Sequence, residues 1–107
     1  MEWKYEEGRI FSIDDKGNSI SEITYNYKRA GVVNINHVYV RPDSRKSGIA
    51  GESMEVLMNY LRKKNLKVTA TCSYANSWLR KNSDKYSDVI AEELINESIA
   101  CSIKSKH

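Results

Sequence analysis

Four stretches in the first forty residues carry the pattern of strands, whose side chains alternate between two faces. Residues 2–5 make a short one, Gly8 turns the chain, and residues 9–13 (RIFSI) make a second. Asp14, Asp15, Lys16, Gly17 and Asn18 are turn formers, so a hairpin loop falls there. Residues 19–28 read as a longer strand, with Ile20, Glu22, Thr24 and Asn26 on one face and Ser21, Ile23, Tyr25 and Tyr27 on the other. A tight turn at 29–31 leads into residues 32–40 (VVNINHVYV). Strict alternation there places Val33, Ile35, His37 and Tyr39 on one face and Val32, Asn34, Asn36, Val38 and Val40 on the other. The first third is therefore expected to be an antiparallel meander.

The pattern then changes period. Arg41, Pro42 and Asp43 stop the fourth strand, because proline cannot donate to a ladder and aspartate favours turns. Beyond a basic loop, Ala50, Ser53, Met54, Leu57, Met58 and Leu61 recur on one helical face. Glu52 and Glu55 fall early in this helix and Arg62, Lys63 and Lys64 late, the order that suits a helix dipole. The helix should end near Asn65, and residues 66–71 (LKVTAT) should form a strand. A helix between two strands makes a β-α-β unit, so that strand runs parallel to residues 32–40 with a right-handed crossover. A second short helix is expected over 74–81 with Ser73 as its N-cap, then a loop at 82–85 and an extended piece at 86–90. Ala91, Leu94, Ile95, Ser98, Ile99 and Ile103 are spaced as an amphipathic helix. The expected organisation is one α/β (α+β) domain over residues 1–90, with a helical C-terminal extension over 91–107.

Composition narrows the class. The chain has 107 residues, 40% hydrophobic and 29% charged, which is ordinary for one globular domain with a modest core. A net charge of +3 fits an anionic small ligand and provides no basic stripe for nucleic acid. No apolar run approaches the length of a membrane span and no signal-like segment starts the chain, so a cytoplasmic location is expected. Cys72 and Cys101 are too few for a disulfide framework and match no zinc spacing, so both should be reduced and no metal is expected.

The chemistry concentrates in the passage from strand to helix around residues 40–51. A helix N-terminus offers unpaired N–H groups and a positive dipole end to an anion, and Arg45 and Lys46 add full charge. Gly48 and Gly51 let the backbone approach a bulky group. The loop is neither GxxxxGK[ST] nor GxGxxG, so neither a nucleotide P-loop nor a dinucleotide fold is indicated. Arg45-Lys46-Ser47-Gly48-Ile49-Ala50 resembles the [RQ]-x-x-G-x-[GA] signature of the GNAT superfamily of N-acetyltransferases. With the preceding INHVYV, the following helix, LKVTATCSYANSWLRKN and YSDVI, the resemblance covers about residues 20–90 and is to the minimal, stand-alone single-domain branch.

The resemblance implies a splayed, mainly antiparallel sheet with one parallel pair, and acetyl-coenzyme A as cofactor. It places the pyrophosphate on the N–H groups of Arg45, Lys46, Ser47, Gly48, Ile49, Ala50 and Gly51. The pantetheine arm would lie along the strand ending at Val38, Tyr39 and Val40, bonded by the backbones of Val38 and Val40. The thioester would sit where the parallel strands part, beside Cys72, with Ser73 and Tyr74 close. Many members of the superfamily use a glutamate base. Asn36 and Val38 stand where a carboxylate would serve, so two other candidates remain. Cys72, at a strand-to-helix junction, could act as nucleophile or acid–base group with its pKa lowered by the helix N-terminus. His37 titrates in the right range.

Each has a plainer alternative: a buried, inert cysteine, and a histidine bonded beside the sheet. Tyr25, Tyr27, Tyr39 and Trp78 read as packing residues. The reading is an N-acetyltransferase acting on a primary amine, a protein lysine or a small molecule, as a monomer or weak homodimer without nucleic-acid or membrane partners. The alternative is a coenzyme A-binding module that acts as a sensor or partner subunit without turnover.

Overall fold

In a computed structural model that describes residues 1–94, the first hairpin is pinned by one side chain. Asp14 Oδ1 accepts the N–H groups of Lys16 (2.9 Å) and Asn18 (3.0 Å), and Gly17 supplies the positive φ of 83°. The turn joins β2 (Arg9–Ile13) to β3 (Ser19–Arg29); β1 (Glu2–Glu6) pairs on the outer side of β2. β4 (Val32–Val40) returns antiparallel to β3, and β5 (Lys67–Ala70) pairs parallel to β4. The sheet order is β1-β2-β3-β4-β5, the expected meander with one parallel pair.

Between the parallel strands come a 3₁₀ turn at Pro42–Ser47 and helix α1 (Ile49–Lys63). Ser53, Met54, Leu57, Met58 and Leu61 are buried, as their spacing predicts, against Ile10, Ile23, Val33, Ile35 and Val68 of the sheet. The helix stops in a Schellman motif. Leu66 N–H donates to the Leu61 carbonyl (2.9 Å), Asn65 N–H to that of Arg62 (3.2 Å), and Asn65 takes φ 57°.

Helix α2 (Ser73–Lys81) starts one residue earlier than expected. Its N-cap is Cys72, with no side-chain cap bond, so Ser73 is the first helical residue and not the cap. Residues 86–90 are turns and not an extended piece. Tyr86 is buried with its ring stacked on Trp78 at 5.6 Å, and only Ile90 bridges Val68. An aromatic anchor fixes this segment where strand pairing was expected. Of the C-terminal extension, residues 92–94 are helical and Leu94 is buried; residues 95–107 lie outside the described residues.

One correction concerns β4. Ile35 stands opposite Tyr25 and His37 opposite Thr24, so Asn36 is an extra residue without a partner on β3, a β-bulge. Beyond it the faces exchange, since alternation runs on from a shifted start. Val38 and Val40 join Val33 and Ile35 on the helix-covered side, where Val40 is buried and Val38 packs on the core. His37 is turned to the opposite, open face and is exposed. Tyr27 also departs from its expected packing role, being 56% exposed.

Candidate functional site at the split between β4 and β5

The bulge redirects backbone groups as well as side chains. The Ile35 carbonyl faces β5, where it accepts the N–H groups of Thr71 (3.1 Å) and Cys72 (3.2 Å). Further on, Arg41 N–H donates to the Ile20 carbonyl of β3 (2.7 Å). Counting back by twos, Tyr39 and His37 face β3, which leaves the N–H and C=O groups of Val38 and Val40 facing away from it. On that side β4 has no neighbour, because pairing with β5 ends at Ile35 and Ala70. The two parallel strands part there, and an edge of β4 lies open from Asn36 to Val40 among the described residues.

Two helix N-termini flank the opening, because α1 follows the C-terminal end of β4 and α2 that of β5. In α1 the first bond of the helical ladder runs from Glu52 N–H to the Gly48 carbonyl (3.1 Å), so the N–H groups of Ile49, Ala50 and Gly51 precede it. Gly48 holds the junction at φ 77°, with open space where a Cβ would stand. The loop charges are divided. Arg45 Nε donates to the Val40 carbonyl at 3.0 Å, tying the loop to the end of β4, while Lys46 has no partner among the described residues. Ser47 Oγ donates to the Ser44 carbonyl (2.7 Å). The Arg41 guanidinium, at 2.6 Å from Asp43, holds that carboxyl below its ordinary range and offsets its charge beside the loop. A Cβ at Gly51 would meet Trp78 Nε1 of α2 at 3.7 Å, so the two helices are close at this end.

Cys72 is a free, half-buried thiol at the N-cap of α2 on the far side of the split. Tyr74 is 42% exposed, and burial first, then the nearby Cys72 sulfur, push its hydroxyl above the ordinary phenol range. Asn76 Nδ2 caps the Ala70 carbonyl (3.0 Å). Between the strands Asn34 Nδ2 donates to Thr71 Oγ1 (3.0 Å) and Asn36 Oδ1 (3.1 Å), and Asn34 Oδ1 accepts from Thr69 Oγ1 (2.9 Å).

The fold thus gathers Val38, Val40, the 45–51 loop, Cys72, Ser73 and Tyr74 around one opening. His37 stands apart on the open sheet face, and the Tyr39 backbone is committed to β3. Trp78 packs against the core as expected, and the Asn34–Thr69–Thr71 network was not anticipated. Two asparagines in a β-branched strand were the available signal for the network. Among the described residues no group of His, Cys, Asp or Glu is arranged to hold a metal, and no helix is long and apolar enough to cross a membrane.

Residues 10–89 match the GCN5-related N-acetyl-transferase family, and the chain belongs to it. The fold is similar to that of a Staphylococcus aureus protein solved by NMR and provisionally assigned as a GCN5-like N-acetyltransferase. The two share 31% identity with a TM-score of 0.69, over 84% of this chain and 87% of that one. A Desulfovibrio desulfuricans protein assigned to the GNAT family shares the fold at TM-score 0.53 and 17% identity, over 58% of this chain and 41% of that one. No curated protein matches. Family and fold together place the chain among the acetyltransferases of the GNAT superfamily.

Proposed function

We propose that the chain transfers an acetyl group from acetyl-coenzyme A to a primary amine at the split between β4 and β5. The observation that carries this reading is the unpaired edge of β4. It runs from the N-terminus of α1, which suits a pyrophosphate, toward Cys72 at the N-terminus of α2. An extended amide-bearing arm laid on this edge would bond the free groups of Val38, as an added strand does. The Val40 carbonyl is already engaged by Arg45, so of that residue the N–H is left for the arm.

In the reaction the amine nitrogen bonds to the thioester carbonyl carbon, the carbon–sulfur bond breaks, the amine loses a proton and the departing thiolate gains one. Most of the rate enhancement in such a site comes from positioning. Tyr74, protonated at neutral pH, is the group we assign as proton donor to the thiolate. Cys72 is assigned to the reacting carbonyl, either as a nucleophile that carries the acetyl group between donor and amine or as the group that passes the amine proton. His37 is given no part, since it faces the other side of the sheet.

Calorimetric titration with acetyl-coenzyme A tests the reading on wild type, Gly48→Asn and Gly48→Asp. Both substitutions tolerate the positive φ and differ in charge. Micromolar binding retained by Gly48→Asn and weakened about fivefold by Gly48→Asp is expected, since a carboxylate there takes up the positive helix end that the pyrophosphate needs and repels it, an effect of roughly 1 kcal/mol. No binding by wild type overturns the reading. Binding without amine-dependent release of free thiol reduces the chain to a coenzyme A-binding module.

A further inference from the structure

Helix α1 is 15 residues long, so its C-terminal end lies about 22 Å from the anion-binding end. A second concavity opens there. It encloses about 510 Å³, within the range of small-ligand sites. Tyr5 of β1, Tyr25 and Tyr27 of β3 and Tyr60 of α1 line it, with Glu7 in the β1–β2 turn and Lys64 at the helix end. Four of the seven tyrosines of the chain are thus drawn to one corner. Tyr5 and Tyr60 stack at 5.2 Å. Tyr25 is buried; burial first, then the neighbouring Tyr60 and Tyr27 phenols, hold its hydroxyl above the ordinary range, so it stays neutral. Tyr5 and Tyr27, by contrast, are 51% and 56% exposed, more than packing requires.

The electrostatics of these walls favour a cation. Aromatic faces carry negative potential. Glu7 has no ion-pair partner among the described residues. Glu6, paired with Arg9 at 2.8 Å, adds a second carboxylate at the rim. A cation of the chain itself already takes up such a position: Lys64 Nζ stands 5.7 Å from the centroid of Tyr60.

We propose that this groove binds the protonated side chain of a lysine presented by a polypeptide, with Lys64 as its intramolecular competitor. A primary ammonium has three donors, and the Tyr25 and Tyr60 oxygens and the Glu7 carboxylate are the acceptors this corner offers. The methylene stem would cover the exposed rings of Tyr5 and Tyr27. The volume exceeds what a small alkylamine fills and leaves room for flanking backbone. The site stands apart from the split and does not rest on the acyl-transfer reading; it would anchor a basic polypeptide whether or not another of its amines is acetylated.

The test is a titration of isotope-labelled full-length protein with Nα-acetyl-lysine-N-methylamide, followed by NMR at the amides of Gly8 and Leu66. Saturable shifts there, and none at Ile49 or Ala50, are expected. Tyr27→Ala, at an exposed position, should weaken binding about threefold, the effect of losing roughly 25 Å² of apolar cover on the methylene stem. Lys64→Ala should tighten it. The neutral Nε-acetylated form of the probe should not saturate; equal binding by it would reduce the groove to an apolar surface and overturn the proposal. Saturation by spermidine and not by the lysine probe would overturn the polypeptide assignment in favour of a free polyamine. No saturable shift with the Lys64→Ala protein would overturn the site altogether.

Discussion

At the scale of single residues, three hydroxyls sealed between sheet and helix carry a defined energetic consequence. Ser12, Ser21 and Ser53 are buried, at 0, 0 and 1% exposure. Ser12 and Ser21 Oγ are 2.6 Å apart, and Ser53 Oγ lies 3.0 Å from Ser21 Oγ while donating to the Ile49 carbonyl at 2.8 Å. Ser21 is the partner Ser12 depends on. Ser21→Ala should therefore lower stability by about 1–3 kcal/mol, the cost of an orphaned buried hydroxyl. The double variant Ser12→Ala/Ser21→Ala should cost less than the single one, because the orphan goes too; urea unfolding of the three proteins checks both. These serines were not legible in the sequence. In a strand pattern a serine reads as solvent-facing, and only the approach of α1 closes them off. Gly48 and Asn65, whose demands are local to a turn, were legible.

At the scale of elements, β4 shows where periodicity stops being informative. The bounds of β2 and β4 and the buried face of α1 follow from spacing alone. The faces of β4 past Asn36 do not, because a bulge inserts one unpaired residue without changing the strand's composition. The 45–51 loop was legible as a turn into a helix because a helix start has a sequence signature; His37 was misplaced because its face depends on a count set by the neighbouring strand. Deleting Asn36 should restore a regular strand in which Val38 and Val40 still face the core, and should remove the local bend that the bulge puts into β4. Acetyl-coenzyme A binding, which on the proposed function needs the parted edge of β4, should fall well beyond any fall in melting temperature. Asn36→Ala keeps the residue count, replaces an exposed side chain, and should leave both close to wild type in calorimetry.

At the scale of the whole molecule, the chain beyond the family core is tied back by charge. Glu93 pairs with Arg29 and Lys28 at the end of β3, first Arg29 and then Lys28 drawing its carboxyl down to about 2 from an ordinary 4.5. A depressed carboxyl stabilises the fold above its unfolded value and loses that contribution as pH falls toward its folded one. The advantage of wild type over Glu93→Gln should therefore be constant at neutral pH and fade between about pH 4.5 and about pH 2, read as the difference in their urea midpoints. None of this long-range pairing has a sequence signal, since Arg29 and Glu93 are 64 residues apart and each sits in an ordinary polar stretch.

The open edge of β4 has a consequence for solubility. A row of unpaired N–H and C=O groups is a template for another strand, and natural sheets blunt such rows. The outer edge, β1, is five residues long and carries Glu2, Lys4 and Glu6. The free stretch of β4 carries His37, Val38, Tyr39 and Val40 and has no charged residue at neutral histidine. Among the described residues nothing covers it, and on the proposed function its cover is the ligand itself. Light scattering on heating should show the protein alone associating sooner than the same protein saturated with acetyl-coenzyme A, with the small molecule acting as the strand that keeps one copy of the chain from reading another.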